Sequence, residues 1–441
     1  MLKDSALTLS TQGLMFILAL LTSVIISRML GPSLKGTYGV FLLLLGLVSM
    51  MMTFGLGSSV VYFGSQDKNR LPKLTGNGLT AALATGLGGI LLIEASLQTT
   101  IFRNYLLENG LNVNLLHYGV ILLPFLQAQA FLVEVLRAHG DMIRYNLARF
   151  LRILLNLVGV IILVWAWPLG LVGAVIAWGV SVLFVSTITV WWALKSNHFQ
   201  ITWDITLMRQ MVRFGIKLYP GNLMQFLNYR LDVFLISLFL GPSEVGLYIT
   251  ATTLAERLWD IPHALRTVLL QRVAANPEME ATKALTAQVS RITLSIMALL
   301  SLMLALATYP LIDFLYGQAF LASVPALILL LPGITVLSVG KLLSAFLSGI
   351  GHPEAGTYGA AGALLSTLIL DILLIPIWSF YGAALASSIS YILSAIIIFV
   401  LFLHYSHVPV TDVLLIRRAD ITLLWQRVCA FFHCGELHHA N

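Results

Sequence analysis

The 441-residue chain carries 25 basic and 19 acidic side chains, so 10% of its residues are charged while 59% are apolar, and its mean hydropathy is +0.92. Soluble domains are roughly one quarter charged, and charges this sparse cannot cover a soluble protein of this size. Disordered and collagen-like classes fail on hydrophobicity, and a disulfide scaffold fails because the two cysteines, Cys429 and Cys434, both stand near the carboxyl end. What remains is an all-α polytopic membrane protein.

A bilayer-crossing helix needs roughly 20 apolar residues, and stretches free of charge mark the spans in chain order. The first, about 8–27, follows Lys3 and ends at Arg28; no small-residue cleavage pattern follows, so it reads as an uncleaved span. Spans at 38–63, 76–100 and 115–138 come next. The uncharged stretch 153–194 is broken at Trp165-Ala166-Trp167-Pro168-Leu169-Gly170, which gives spans at 147–166 and 171–194. Segments 214–240 and 245–270 carry isolated charges but still read as spans, followed by 290–313 and 323–349. The last uncharged stretch, 372–411, breaks between Pro376 and Gly382 and yields 356–376 and 381–404. Trp, Tyr and Pro at both breaks suit turns at the membrane surface. The expectation is about twelve transmembrane helices. Runs such as Ile153–Trp165 are apolar on every face, whereas strands of a membrane barrel would alternate.

Charge sets the orientation. With the amino terminus inside, the cytoplasmic segments hold nineteen basic residues and the outer ones only Arg28, Lys35 and Arg103. This positive-inside bias puts both termini in the cytoplasm. The net charge of +6 reflects that orientation and calls for no nucleic-acid partner.

Residues Ser27 to Tyr38 match Ser237 to Tyr248 at seven of twelve positions, all offset by 210. Both blocks join an odd-numbered span to the next. Weaker echoes follow, Leu136 to Gly140 against Leu347 to Gly351 and Gly173-Ala174 against Gly382-Ala383. A repeat of an even number of helices predicts two six-helix bundles, 1–200 and 201–405, related by a pseudo-two-fold axis along the membrane normal. Such a pair can rock around a central site.

The block Ser27-Arg28-x-Leu30-Gly31-Pro32-x-x-x-Gly36-x-Tyr38 resembles the first-loop signature of the polysaccharide (oligosaccharide) flippases of the Wzx type. Phe54-Gly55-Leu56-Gly57 fits the same pattern, as does Leu240-Gly241-Pro242 with Gly246 and Tyr248. The resemblance covers about 1–405. That family shares a superfamily with multidrug and toxic compound extruders and lipid II flippases. What the resemblance implies is transfer of an undecaprenyl-pyrophosphate-linked oligosaccharide from the inner to the outer leaflet, with a proton or sodium as possible coupling ion and polysaccharide polymerase or export proteins as possible partners.

An ionisable group at bilayer depth is costly and therefore a functional candidate. Asn222, Gln225, Tyr229 and Asp232 recur at steps of three, four and three on the seventh span, with Arg230 beside them. Thr250, Thr253, Arg257 and Asp260 repeat that spacing on the eighth, next to Glu256, and Lys341 lies inside the tenth. Arg230, Arg257 and Lys341, with Asn222, Gln225 and Tyr229, are the candidate substrate-binding set, because guanidinium forks match phosphate oxygens. Asp232, Glu134, Glu256, Asp260 and Glu94 are the candidates for ion coupling or for salt bridges: Glu134 with Arg137, Arg230 with Glu256, Arg257 with Asp260 or Asp232. Asp371 has no assigned role. Arg28 and Lys35 read as a rim feature at the outer mouth. Gly356, Gly359 and Gly362 with Ala360 and Ala363 make a close-packing helix face. Gly76-Asn77-Gly78 formally fits a dinucleotide fingerprint, but it opens a span instead of following a strand.

Residues 406–441 form a cytoplasmic tail whose mix of apolar residues with Arg417, Arg418 and Arg427 suggests an interfacial amphipathic helix. The Cys429, His433, Cys434, His438 and His439 spacing is too weak a signal for a metal site. No nucleophile-base pair or metal ligand set appears in the spans, so neither an enzyme, a cofactor nor a metal is expected, and a monomer is. The alternative to a flippase is a proton- or sodium-coupled multidrug or organic-cation antiporter of the same superfamily.

Overall fold

The computed structural model describes residues 2–195, 204–275 and 280–415 with positions 417, 420 and 422, and side chains from residue 12 onward. All regular elements among them are helical. Eight helices are long and apolar enough to cross a membrane. Two of these are each a pair joined across a kink, at Gly31 within Leu2–Met52 and at Trp378 and Ser379 within Glu354–Ser406. The two remaining expected spans are interrupted helices. One runs as Ile205–Asn228 and Leu231–Phe239; the other runs as Pro242–Ala255, a tight 3-10 turn Glu256–Trp259, and Asp260–Ala275. All twelve expected spans are thus helical; besides the charged seventh and eighth, the second breaks between Met52 and Leu56 and the fourth between Val120 and Leu123.

Several helices outrun the apolar segments that announce them. Glu280–Tyr316 starts ten residues ahead of the expected 290, because hydropathy marks the bilayer core and the helix continues into the polar layer. The Gly31 kink needs little loop: its φ of 70° lies in the left-handed region, and Pro32 then restarts the helix where its missing N–H costs nothing. Gly241, with φ 129°, and Pro242 repeat that turn.

The sequence echoes are structural. The Asp141 amide donates to the Leu136 carbonyl (3.0 Å) and the Gly140 amide to Arg137 (3.1 Å); in the second copy His352 donates to Leu347 (2.8 Å) and Gly351 to Ser348 (3.3 Å). Each is a Schellman helix end with its glycine at positive φ, 87° and 97°. The strongest repeat blocks also meet each other. A Cβ on Gly36 would collide with the Pro242 carbonyl, and one on Gly246 with that of Pro32. Such reciprocal contact is what a local two-fold axis produces.

Contacts divide the chain into two compact units, residues 1–250 with 312–323, and 251–311 with 324–441. The expected bundle boundary at residue 200 falls in 196–203, outside the described residues. In the first unit Leu56, Val60, Leu74, Leu132 and Met211 form an inner core. In the second, Leu342, Phe346, Ala355, Phe402 and Val413 do so. The expected small-residue face is close-packed: a Cβ on Gly359 would meet Ile398 at 2.8 Å, and Ala360 and Ala363 are buried. Outward-facing residues such as Leu306 and Phe314, 76% and 77% exposed, are suited to lipid. Of the tail, the short helix Val410–Leu414 is described; Cys429, His433, Cys434, His438 and His439 lie outside the described residues.

Candidate functional site

In the second unit the interruption Glu256–Trp259 turns a cluster of charged and aromatic side chains toward Lys341. Trp259 is buried and its indole N–H donates to the Ile334 carbonyl (3.1 Å), which fixes the ring. The Lys341 ammonium, on a residue only 8% exposed, sits 3.8 Å from the centre of that ring and 3.2 Å from the His263 Nε2. Arg266, Glu256 and Asp260 are its charged neighbours, and Asp260 in turn feels Arg257 as well as Lys341. Lys341 stands eight residues before Gly349, the end of its helix, or roughly 12 Å along the axis. Arg257 and Asp260 are exposed and Glu256 half-buried. The structure therefore brings four of the expected residues together: Lys341, Arg257, Asp260 and Glu256.

In the first unit Arg230 occupies the gap between the two halves of the seventh span. Its φ of −138° and ψ of −10° are outside the helix, and its guanidinium donates to the Tyr229 carbonyl (2.9 Å). Arg230 lies eleven residues before Gly241, or about 16 Å along a helix, which places the break near mid-membrane. Breaks at that depth leave backbone groups for a ligand or ion, as in many transporters. Asn222 and Gln225 are exposed on the first half-helix and Tyr229 is half-buried at its end. Asp232, 1% exposed, belongs to the second half: its carboxylate accepts from the Val233 amide (2.7 Å) and from the Tyr248 hydroxyl. The expected single polar stripe is divided by the break.

Glu134 pairs with Arg137 at 3.2 Å, and Glu94 with His117 at 3.0 Å. Asp371 is fully buried. Several residues escaped the sequence reading. Arg152 was counted among the cytoplasmic charges, yet it lies ten residues into Met142–Val160 and donates to the buried Gln129 (2.5 Å), with Trp178 at 5.8 Å. The signal was there: Tyr145, Arg149, Arg152 and Asn156 recur at steps of four, three and four. Trp259, His263 and Arg266 share a similar spacing. Lys35, expected on a rim, is only 5% exposed.

The family model for polysaccharide biosynthesis protein matches residues 25–325. The chain belongs to this family. No curated protein matches the sequence. Among solved structures, this polysaccharide biosynthesis protein is similar to the lipid II flippase MurJ in an inward closed conformation, with a TM-score of 0.76 at 15% identity, over 92% of this chain and 89% of that one. It is also similar to an inward-facing multidrug resistance MATE family transporter of the MOP superfamily, with a TM-score of 0.70 at 18% identity over 89% and 94%. A MOP superfamily transporter from Pyrococcus furiosus, whose binding pocket is described as of reverse polarity, aligns with a TM-score of 0.61 at 15% identity over 92% and 94%. The chain is thus a multi-pass membrane protein with the fold of the MOP superfamily transporters.

Proposed function

We propose that the protein is a flippase that moves an undecaprenyl-pyrophosphate-linked oligosaccharide from the inner to the outer leaflet of the cytoplasmic membrane by alternating access. The observation that carries this reading is Lys341: a buried ammonium on an indole face, with Arg257 and Arg266 nearby, in a chain of the polysaccharide biosynthesis family. Cations held at bilayer depth suit a pyrophosphate or an acidic sugar. Arg230, at the break of the seventh span with Asn222, Gln225 and Tyr229 leading to it, is the second binding group. The two sequence repeats, 1–200 and 201–405, are the moving bodies. Asp232 and Glu134 are the proposed groups for proton or sodium coupling, with both termini cytoplasmic. Glu256 and Asp260 balance the cations between cycles, and Glu94 with His117 is a local pair.

The test is transfer of a lipid-pyrophosphate-linked glycan across proteoliposomes. Wild type should flip it. Arg230→Ala and Lys341→Ala, checked for unchanged thermal unfolding, should each lose about tenfold or more, the effect of removing one charge-assisted phosphate contact. Full activity in both variants would remove the cationic site. A wild type that leaves the glycan in place but exports a cationic dye along a proton or sodium gradient would move the protein to the drug antiporters.

A further inference from the structure

Within the first unit the two Gly-Pro turns are shut against each other, and the packing follows the repeat. At the centre, Gly36 and Gly246 press on each other's copy of the turn through the Pro242 and Pro32 carbonyls. On one flank the short helix Thr100–Glu108, which follows the third span, holds the second copy: the Tyr105 hydroxyl and Ser237 hydroxyl are 2.7 Å apart, and Asn109 donates to the Ser237 carbonyl (3.0 Å). On the other flank the end of the ninth span holds the first copy, with Arg28 donating to the carbonyls of Phe314 and Leu315. The neutral flank is made of hydroxyl and amide groups. The second flank has a guanidinium and, deeper, an ammonium.

That ammonium is Lys35. It donates to the Thr250 hydroxyl (2.7 Å), which passes the bond on to the Gly246 carbonyl (2.7 Å), and it lies 4.7 Å and 5.0 Å from the Tyr316 and Phe320 ring centres. Among the described residues no carboxylate comes within ion-pair distance of it. An ammonium has three donors, and one hydroxyl with two ring faces does not replace the hydration lost on burial. The equivalent position in the second repeat is Val245, fully buried and apolar, so the turn geometry itself has no need of the charge.

We propose that Lys35 is a spring in this gate: its charge, buried without a counter-ion when the Gly36–Gly246 crossing is shut, favours the open state in which water or the anionic group of the cargo reaches it. Thr250 acts as the catch that makes the shut state tolerable. This rests on the alternating-access reading above, and on the gate facing outward as the charge bias implies.

The experiment reads gate opening without cargo, so that its failure is separable from a wrong cargo. The full chain, with Cys429→Ser and Cys434→Ser, carries Val40→Cys, a fully buried position one turn beyond Gly36 and the counterpart of Thr250. A membrane-impermeant maleimide is added from outside and the labelling rate is followed. Lys35→Met, which fills the same space without charge, should slow labelling by about tenfold, and Thr250→Val, which takes away the catch, should speed it by about as much, the scale of one unsatisfied buried polar group. The opposite signs are the signature. A purely structural Lys35–Thr250 bond would make both variants speed labelling, and that result, or no change in either, overturns the proposal. If Lys35→Met fails to accumulate in the membrane, Lys35→Val, which copies the buried apolar residue of the second repeat, takes its place: slower labelling supports the spring, unchanged or faster labelling overturns it.

Discussion

Asp420 shows what a charge needs in order to be stable out of water. Its fully buried carboxylate accepts from the Arg291 guanidinium at 2.5 Å and 2.8 Å, from the Arg417 amide at 3.0 Å and from Gln288 at 3.1 Å. Arg291 also reaches the Asp412 carbonyl (2.9 Å), which fastens the start of the tail to the ninth span. Arg291 holds the Asp420 carboxyl well below the usual carboxylate range, against the opposing effect of burial and with help from the Arg417 amide and Gln288. A depressed folded pKa stabilises the fold above the ordinary Asp value of about 4 and loses that contribution as pH falls toward the lowered value. Asp420→Asn should therefore cost about 1–3 kcal/mol at neutral pH, and its thermal-unfolding gap from wild type in detergent should narrow as the pH is lowered; a gap independent of pH would refute the clamp. Lys35 has the same depth without this set of partners. Residue identity was legible in the sequence here, but partnership was not. Glu134 with Arg137 was foreseen because three residues separate them on one helix. Arg291 with Asp420 was invisible, since 129 positions separate them and only packing brings them together. Arg152 is less legible for a different reason: it falls inside the expected span 147–166 and also among the basic residues counted as cytoplasmic, and hydropathy alone does not fix how deep a charge near a span's end lies.

Elements were the most legible level, because bilayer thickness imposes a length and glycine imposes a stop. The Leu136 to Gly140 echo in Leu347 to Gly351 is a helix end written twice. Gly140 and Gly351 each have open space where a Cβ would go, so only the positive φ penalises a side chain. Gly140→Ala and Gly351→Ala should each destabilise by about 1 kcal/mol, while Gly13→Ala, with equal space and an ordinary helical backbone, should be neutral or slightly stabilising. Thermal unfolding of the three variants side by side checks this, and equal shifts would mean that packing, not backbone geometry, governs these ends. The break in the seventh span was less legible. Asn222, Gln225, Tyr229 and Asp232 keep helical spacing through it, and spacing cannot reveal that the chain stops obeying it at Arg230. Polar periodicity announced a special helix, while the interruption moved Asp232 away from that stripe and toward Tyr248.

For the whole molecule, alternation of twelve helices with basic residues on alternate connections predicts a strict sidedness. Enzymatic reporters inserted after residue 277 or fused after residue 406 should be active only in the cytoplasm, and one inserted after residue 110 only outside; a reporter on the wrong side at any of these would invert the gate as well as the count. The repeat was readable as a sequence offset, and the meeting of Gly36 with Gly246 explains why those two glycines survive among changed neighbours: each half is shaped around the other's backbone. Doubling the first half would set Lys35 against Val40, which offers no acceptor; doubling the second would set Val245 against Thr250, a hydroxyl with no cation to hold. Neither ancestor-like homodimer could contain the caged ammonium. It exists only because one copy supplied the amine and the other the hydroxyl, a division of labour by which a symmetric frame acquired a one-sided trigger.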